Sequence, residues 1–377
     1  MKLIGKSKLS VYPIGQGTLF GRNHKIKLDK DLIKVKKETL QFGFDLGMNF
    51  VDTGEDYENG LSEEILGEST KSFRDKITIA TKFKPINNSR LGINNALEGS
   101  LRRLKTDYVD LYQIQWPNPE VPIEETISTL EKLVTEGKIK YFGVGNFSSE
   151  QISLALSSTK TKNLIAAQTE YDLFNREIEK EYIDFTESKQ MSIIAYLSHG
   201  KDLFNEDEKK ILDKLSDKYE VSNRSIILNW IISKKNILVL TSSMSKEHTK
   251  QNYLSGKFKM DAEDIDLINN KFNRKIVKIN PLDIKVLDYD ESDNAHKIYT
   301  TVEEAKKNRL NIKPDAEQIA NEILNTGKLL RPIELKKNPN KGDKEKYILV
   351  RGRMRFWGWL IAYGKKEPLD CLIFDEF

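Results

Sequence analysis

Residues 108–116, YVDLYQIQW, open the fold: an apolar, β-rich run with glutamines at 113 and 115, passing into the loop PNP. Before it, NNALEGSLRRLKTD (94–107) repeats Leu at three- and four-residue spacing. After it, TISTLEKLVTEGK (126–138) does the same with Ile and Leu, and Gly137 reads as the helix stop. A strand between two amphipathic helices is the unit of a parallel α/β sheet. The same alternation extends in both directions, through VYPIGQGT (11–18), NFVDTG (49–54), KITIATKF (76–83), YFGVGNF (141–147), IAAQTEY (165–171), SIIAYLS (192–198) and ILVLTSS (237–243). Eight strands separated by helices predict closure into a (β/α)8 barrel. AEDIDLINNKF (262–272) is the expected last helix, with Ile265, Leu267 and Ile268 placed to cover the barrel wall.

After Asn273 the pattern changes. NRKIVKINPLDIKVLDYD reads as a fresh strand with its own turn. A polar stretch follows, then the helix DAEQIANEILNTGKLL, strands PIELKK and KYILVRG around NPNKGDK, the helix MRFWGWLIAYG and the strand LDCLIFDEF. The expected organisation is a barrel over 1–275 and a smaller α+β domain over 278–377.

The 377 residues are 38% hydrophobic and 31% charged, enough apolar material for a core beneath a very polar surface. No apolar run is long enough to span a bilayer, and the N-terminus lacks the pattern of a secretion signal. Cys371, the one cysteine, forms no internal disulfide, which suits the cytoplasm. His24, His199, His248 and His296 are scattered without metal-ligand spacing, so no metal site is expected. With 61 basic and 57 acidic residues interleaved, the chain has no nucleic-acid footprint.

Barrels of this kind collect reactive groups at the C-terminal ends of their strands. Those ends carry Asp52 with Tyr57 just beyond it, then Lys82, Gln115, Asn146, Gln168 and Tyr196. A lysine beside a phenol is expected to lower the phenol's pKa, and a carboxylate to hold that lysine charged. Tyr57 then suits general-acid duty towards a carbonyl oxygen. Singly, Asp52 could be a helix cap and Lys82 an ordinary strand end; at successive strand ends they suggest one site.

On these segments the first 275 or so residues resemble an aldo-keto reductase. FDLGMNFVDTGEDYENGLSEEILG is similar to the family's segment with the catalytic Asp and Tyr (Asp52, Tyr57), and ITIATKF to its lysine strand (Lys82). GKIKYFGVGNF and AAQTEYDLFNRE resemble the segments that hold the nicotinamide amide (Asn146, Gln168), and IIAYLSHG the strand whose Tyr196 stacks on that ring. The resemblance implies reversible carbonyl reduction with NADP(H), with NAD(H) as the alternative cofactor.

Three departures stand out. Gln115 occupies the usual histidine position; its amide can donate a hydrogen bond but carries no proton for transfer. TSSMSKEHTKQN resembles the segment gripping the adenosine 2′-phosphate, matching at Ser243 and Asn252. Ser242 and His248 stand where basic residues are usual, and Lys246 is the expected compensation. Gly54 and Glu58 replace Ala and Gly, and Glu58 is expected to raise the Tyr57 pKa.

PDAEQIANEILNTGKLLRPIELKK and KYILVRGRMRFWGWLIAYGKKEPLDCLIFDE resemble the ParB/sulfiredoxin-like fold. Its glycine-arginine turn, here Arg351, Gly352, Arg353 and Arg355, implies binding of phosphates or a nucleotide such as ATP at a helix start. The other reading is of charges at a strand–helix junction. From Lys278 onward there are 19 basic and 17 acidic residues, poor for DNA. Trp357 and Trp359 are expected in the core or the domain interface rather than stacked on a base. The leading expectation is an NAD(P)H-dependent reductase of a small-molecule aldehyde or ketone, sugar-derived or phosphorylated, with Tyr57 as acid and Gln115 orienting the carbonyl. The alternative is a weakly catalytic cofactor-binding barrel that regulates a nucleotide-binding or kinase-like second domain.

Overall fold

The computed structural model describes residues 1–19, 29–197, 204–287, 299–309 and 314–374. Two short antiparallel strands, β1 (Lys2–Leu3) and β2 (Ser10–Val11), come first. Eight parallel strands then close a barrel: β3 (Ile14–Gly17), β4 (Phe50–Asp52), β5 (Thr78–Phe83), β6 (Val109–Ile114), β7 (Ile139–Gly145), β8 (Leu164–Glu170), β9 (Ser192–Tyr196) and β10 (Ile237–Ser242). Closure is by β10 on β3, with Val239 opposite Ile14. All eight predicted runs contribute a barrel strand. In the first of them, Val11 pairs with Lys2 and only the part from Ile14 enters the barrel.

The helices start where the sequence offers caps. Asp29 accepts from Leu32 N at the start of α1 (Lys30–Leu46). α2 (Leu61–Thr70) follows β4, and Ser89 caps α3 (Arg90–Leu104). Next is α4 (Ile123–Thr135), ended near Gly137 as expected; Ser148 and Gln151 form a capping box on α5 (Ser149–Ser158). The remaining helices of the first ten are α6 (Tyr182–Ser188), α7 (Glu206–Tyr219), α8 (Asn223–Ser233), α9 (Lys246–Leu254) and α10 (Ala262–Lys271).

Strand parity sorts the side chains. Tyr112 and Ile114 of β6 join the apolar layer between strands and helices, with Leu97, Leu101, Ile127 and Leu130. Leu111 turns into the barrel with Phe50, Ile165, Ile194 and Leu238. The interior thus has an apolar floor, above which Gln113 and then Gln115 follow Leu111 at two-residue steps.

By its contacts the chain divides into two compact units, with the change at Lys271/Phe272; among the described residues, 204–209 go with the second. That unit has a five-stranded sheet in the order β11 (Val277–Ile279), β15 (Leu369–Phe374), β13 (Ile333–Lys337), β14 (Tyr347–Arg351), β12 (Ile284–Lys285). The strand with its own turn expected after Asn273 is found as two short strands, with Pro281 and the Asn280 side chain making the turn between them. Its helices are α11 (Val302–Lys307), α12 (Ala316–Thr326) and α13 (Arg353–Tyr363). Trp357 and Trp359 are buried as expected, their indole N–H groups donating to the carbonyls of Tyr299 and Glu367. No helix among the described residues is long and apolar enough to cross a membrane.

Candidate active site

Asp52 is the last residue of β4 and Lys82 the penultimate residue of β5, neighbouring strands in the barrel. Both side chains are buried, and Lys82 Nζ lies 2.5 Å from Asp52 Oδ1 and 2.6 Å from the Thr53 carbonyl. The same ammonium sits 4.8 Å from the centre of the Tyr57 ring. Burial alone would lower the Lys82 pKa, but Asp52 and Tyr57 together raise it, so the lysine stays charged as expected.

One electrostatic expectation needs correction. Burial pushes the Tyr57 phenol up to about 12; Lys82 pulls it down without prevailing, and Asp52 and Asp56 push it further up. The carboxylates that raise the phenol are Asp52 and Asp56. Glu58 has left-handed backbone, at φ 48°, and its carboxylate accepts from the Ser62 hydroxyl.

Gln115 lies one residue beyond β6. Its Nε2 donates to Asp56 Oδ2 at 3.0 Å, so that donor is engaged by a residue the sequence did not single out. Asn146, one residue beyond β7 and at φ 61°, donates through Nδ2 to the Gln115 carbonyl (3.1 Å) and accepts from the Tyr196 hydroxyl (2.8 Å). Gln168 lies inside β8 and is buried. The structure therefore brings Asp52, Tyr57, Lys82, Gln115, Asn146, Gln168 and Tyr196 to one mouth. Sequence reasoning missed Gln113, whose Nε2 is 3.3 Å from Asp52 Oδ2 and 3.4 Å from Gln168 Oε1. Its signal was parity: two residues before Gln115, it shares the inward face.

The five residues proposed for the adenosine end sit along the end of β10 and on α9. Ser242 Oγ donates to the Leu19 carbonyl, Ser243 Oγ to that of Ser245, and Asn252 is buried. His248 is exposed near the start of α9. Lys246, the expected compensating cation, instead pairs at the surface with Glu38 (3.3 Å). Two cations the sequence reading overlooked come closer. Lys36 of α1 is buried, and its Nζ donates to the Gly17 carbonyl (3.0 Å), Ser242 Oγ (3.1 Å) and the Ser243 carbonyl (3.4 Å). Arg224, second residue of α8, donates to Thr241 Oγ1 and, at 3.2 Å, to Asn252 Oδ1. Burial lowers both pKa values, that of Lys36 to about 8.

In the second unit Gly352 caps α13 at φ 97°, in the left-handed region that favours glycine. The three arginines are engaged within the unit: Arg351 with Glu334 (3.5 Å), Arg353 with the Leu287 carbonyl (2.8 Å), and Arg355 with the carbonyls of Arg331 (3.0 Å) and Pro332 (2.6 Å).

A closed parallel barrel with polar and ionisable groups gathered at the C-terminal ends of its strands defines an enzyme barrel. The Aldo/keto reductase family matches residues 13–273, and the chain belongs to that family, a class of NAD(P)-dependent oxidoreductases. Methylglyoxal reductase YeaE of Escherichia coli (strain K12) is 27% identical over 267 residues, 70% of this chain and 92% of that protein. Aldo-keto reductase YhdN of Bacillus subtilis (strain 168) is 36% identical over 200 residues, 50% of this chain and 56% of YhdN. Among solved structures, an aldo/keto reductase from Klebsiella pneumoniae in complex with NADP and acetate aligns with TM-score 0.65 and 27% identity, over 71% of this chain and 94% of that one.

Proposed function

We propose that the barrel reduces an aldehyde or ketone with NADPH, and that Tyr57 delivers the proton. The observation that carries this reading is the phenol set against the buried Lys82–Asp52 pair at the mouth of the barrel. A carbonyl oxygen gains negative charge as it is reduced. A protonated phenol and a nearby ammonium both answer that charge. Asp52 keeps the ammonium protonated and fixed, and Gln113 holds the outer oxygen of Asp52.

The residues present suit a nicotinamide dinucleotide. Asn146, Gln168 and Tyr196 offer amides and an aromatic face for its reactive end, which supplies hydride when bound. Arg224 is a partly buried cation at a helix N-terminus, where the backbone already carries positive charge. Among the described residues it pairs with no carboxylate; an anionic phosphate near 241–252 would relieve that arrangement. Lys36 adds a second positive group on the same segment, which favours NADPH over NADH. The Klebsiella relative's complex with NADP supports the choice.

Tyr57→Phe tests the reading. Carbonyl reduction should fall by about two to four orders of magnitude, while NADPH affinity, followed by fluorescence, stays within about twofold. Undiminished turnover would remove Tyr57 from the proton path.

For the second unit, the ParB/sulfiredoxin-like reading implies a nucleotide or other phosphate ligand at Gly352 and the following turn of α13. Support comes from the left-handed Gly352 at a half-buried helix start; the engagement of all three arginines with groups of their own unit favours a structural junction. Calorimetric titration of the full chain with ATP, ADP and CTP decides between them. Binding lost in Arg355→Ala supports the ligand site, and no heat from any nucleotide favours the junction.

A further inference from the structure

The loop after β4 holds a carboxylate that the proposed proton path does not use. Asp56 Oδ2 accepts from Gln115 Nε2, while Oδ1 is buried and has no hydrogen-bond partner among the described residues. No lysine or arginine pairs with Asp56 among those residues either. The neighbouring charges are committed elsewhere. Lys82 is taken by Asp52; Glu55 accepts from Lys84 N and from Asn87 Nδ2, each at 2.7 Å; Glu58 accepts from Ser62. The surroundings of Tyr57 therefore carry an uncompensated negative charge.

Gly54 makes the seat for that charge. A Cβ on residue 54 would stand 3.0 Å from Asp56 Oδ1, tight enough that the carboxylate would have to shift slightly, and 3.4 Å from Tyr57 Cε1, an ordinary contact. Gly54, Asp56 and Gln115 thus form one interlocked group: the first gives room, the third holds one oxygen, and the remaining oxygen is left without a donor. Leaving a buried acceptor unpaired is costly, and a carboxylate can only accept. A hydroxyl donor that gains access to that oxygen completes such a group, and anions are repelled by it.

Resting on the carbonyl-reductase reading, we propose that Asp56, seated by Gly54 and held by Gln115, is a specificity-determining residue. It selects neutral carbonyl compounds that carry a hydroxyl group near the reacting carbon, and disfavours those that carry a carboxylate.

The test compares kcat/KM with NADPH for three four-carbon aldehydes: butanal (apolar), erythrose (hydroxylated) and succinic semialdehyde (anionic). The wild-type protein should prefer erythrose to butanal, and butanal to succinic semialdehyde. In Asp56→Asn, succinic semialdehyde should gain about tenfold relative to butanal, and erythrose should lose relative to butanal. Gly54→Ala, which displaces the carboxylate without removing it, should erode the erythrose preference as well. If both variants change all three substrates by one common factor, the specificity role is overturned and the reductase reading stands. If the wild-type protein binds NADPH yet reduces none of the three, the reductase reading falls and takes this proposal with it.

Discussion

Tyr57 and Lys36 show how much a single ionisable side chain owes to its surroundings. Burial raises the phenol to about 12, with Asp52 and Asp56 adding to the rise. A general acid must hold its proton, so a raised pKa keeps Tyr57 competent for reduction through neutral and mildly alkaline pH. We expect kcat for reduction to stay level to about pH 10. Asp56→Asn removes one of the raising charges, so the alkaline fall should begin at lower pH; a shift to higher pH would contradict the assignment. Lys36 titrates the other way. Its ammonium is lowered from 10.5 to about 8, so between those values the unfolded chain binds more protons than the folded one. Wild-type stability therefore gains about 3 kcal/mol as pH rises through that window, and below about pH 8 the whole cost of the buried charge is present. Relative to wild type, Lys36→Met should lose about that amount between pH 7 and pH 11, read from urea unfolding at each pH. A difference independent of pH would mean that Lys36 is not buried as an ammonium.

At the scale of elements, α2 and α3 brace the strand that carries Lys82. Glu63 of α2 is fully buried and ion-paired to Arg103 of α3 at 2.6 Å, while its other oxygen accepts from Thr81, next to Lys82, at 2.5 Å. This bracing depends on close approach of the two helices at Gly67. A Cβ there would meet the backbone of α3, 2.5 Å from the Leu104 carbonyl carbon and 2.6 Å from the Arg103 oxygen. Backbone cannot move aside as a side chain can, so Gly67→Ala should destabilise the barrel by about 1–3 kcal/mol or more in urea unfolding. It should also lower turnover by loosening Thr81 and Lys82. Unchanged stability would show that the helices separate without cost. The helices themselves were legible from Leu and Ile spacing and from the stop at Gly137. This contact was not, because nothing in the spacing within α2 says which neighbour its glycine faces.

For the whole molecule, the two compact units have separate cores, one around the barrel strands and one around Trp357, Trp359, Leu335 and Cys371. Separate cores predict separable unfolding. Scanning calorimetry of the full chain should show two transitions, and saturating NADPH should raise only the barrel's, by mass action on its folded state. One transition shifted as a whole would mean that the units unfold together. In the second unit α12, α13, β13, β14 and β15 were readable in the sequence, whereas α11 lies in a stretch that read only as polar. The turn between β11 and β12 was expected as well, and Asn280 and Pro281 make it.

Local patterns that repeat along the chain determined the barrel: apolar runs of strand length, helices between them, and polar residues recurring at the strand ends. Strand parity also held the signal, unused in reading the sequence, that Gln113 shares the inward face of Gln115. Only the tertiary structure decided what those residues meet. Asp56 reaches Gln115 across 59 positions of sequence, Lys36 reaches Ser242 across 206, and Arg224 reaches Asn252 from another helix. A pKa or a hydrogen-bond partner depends on distance and desolvation. Both are set when the barrel closes, and neither can be read from the order of residues along one strand.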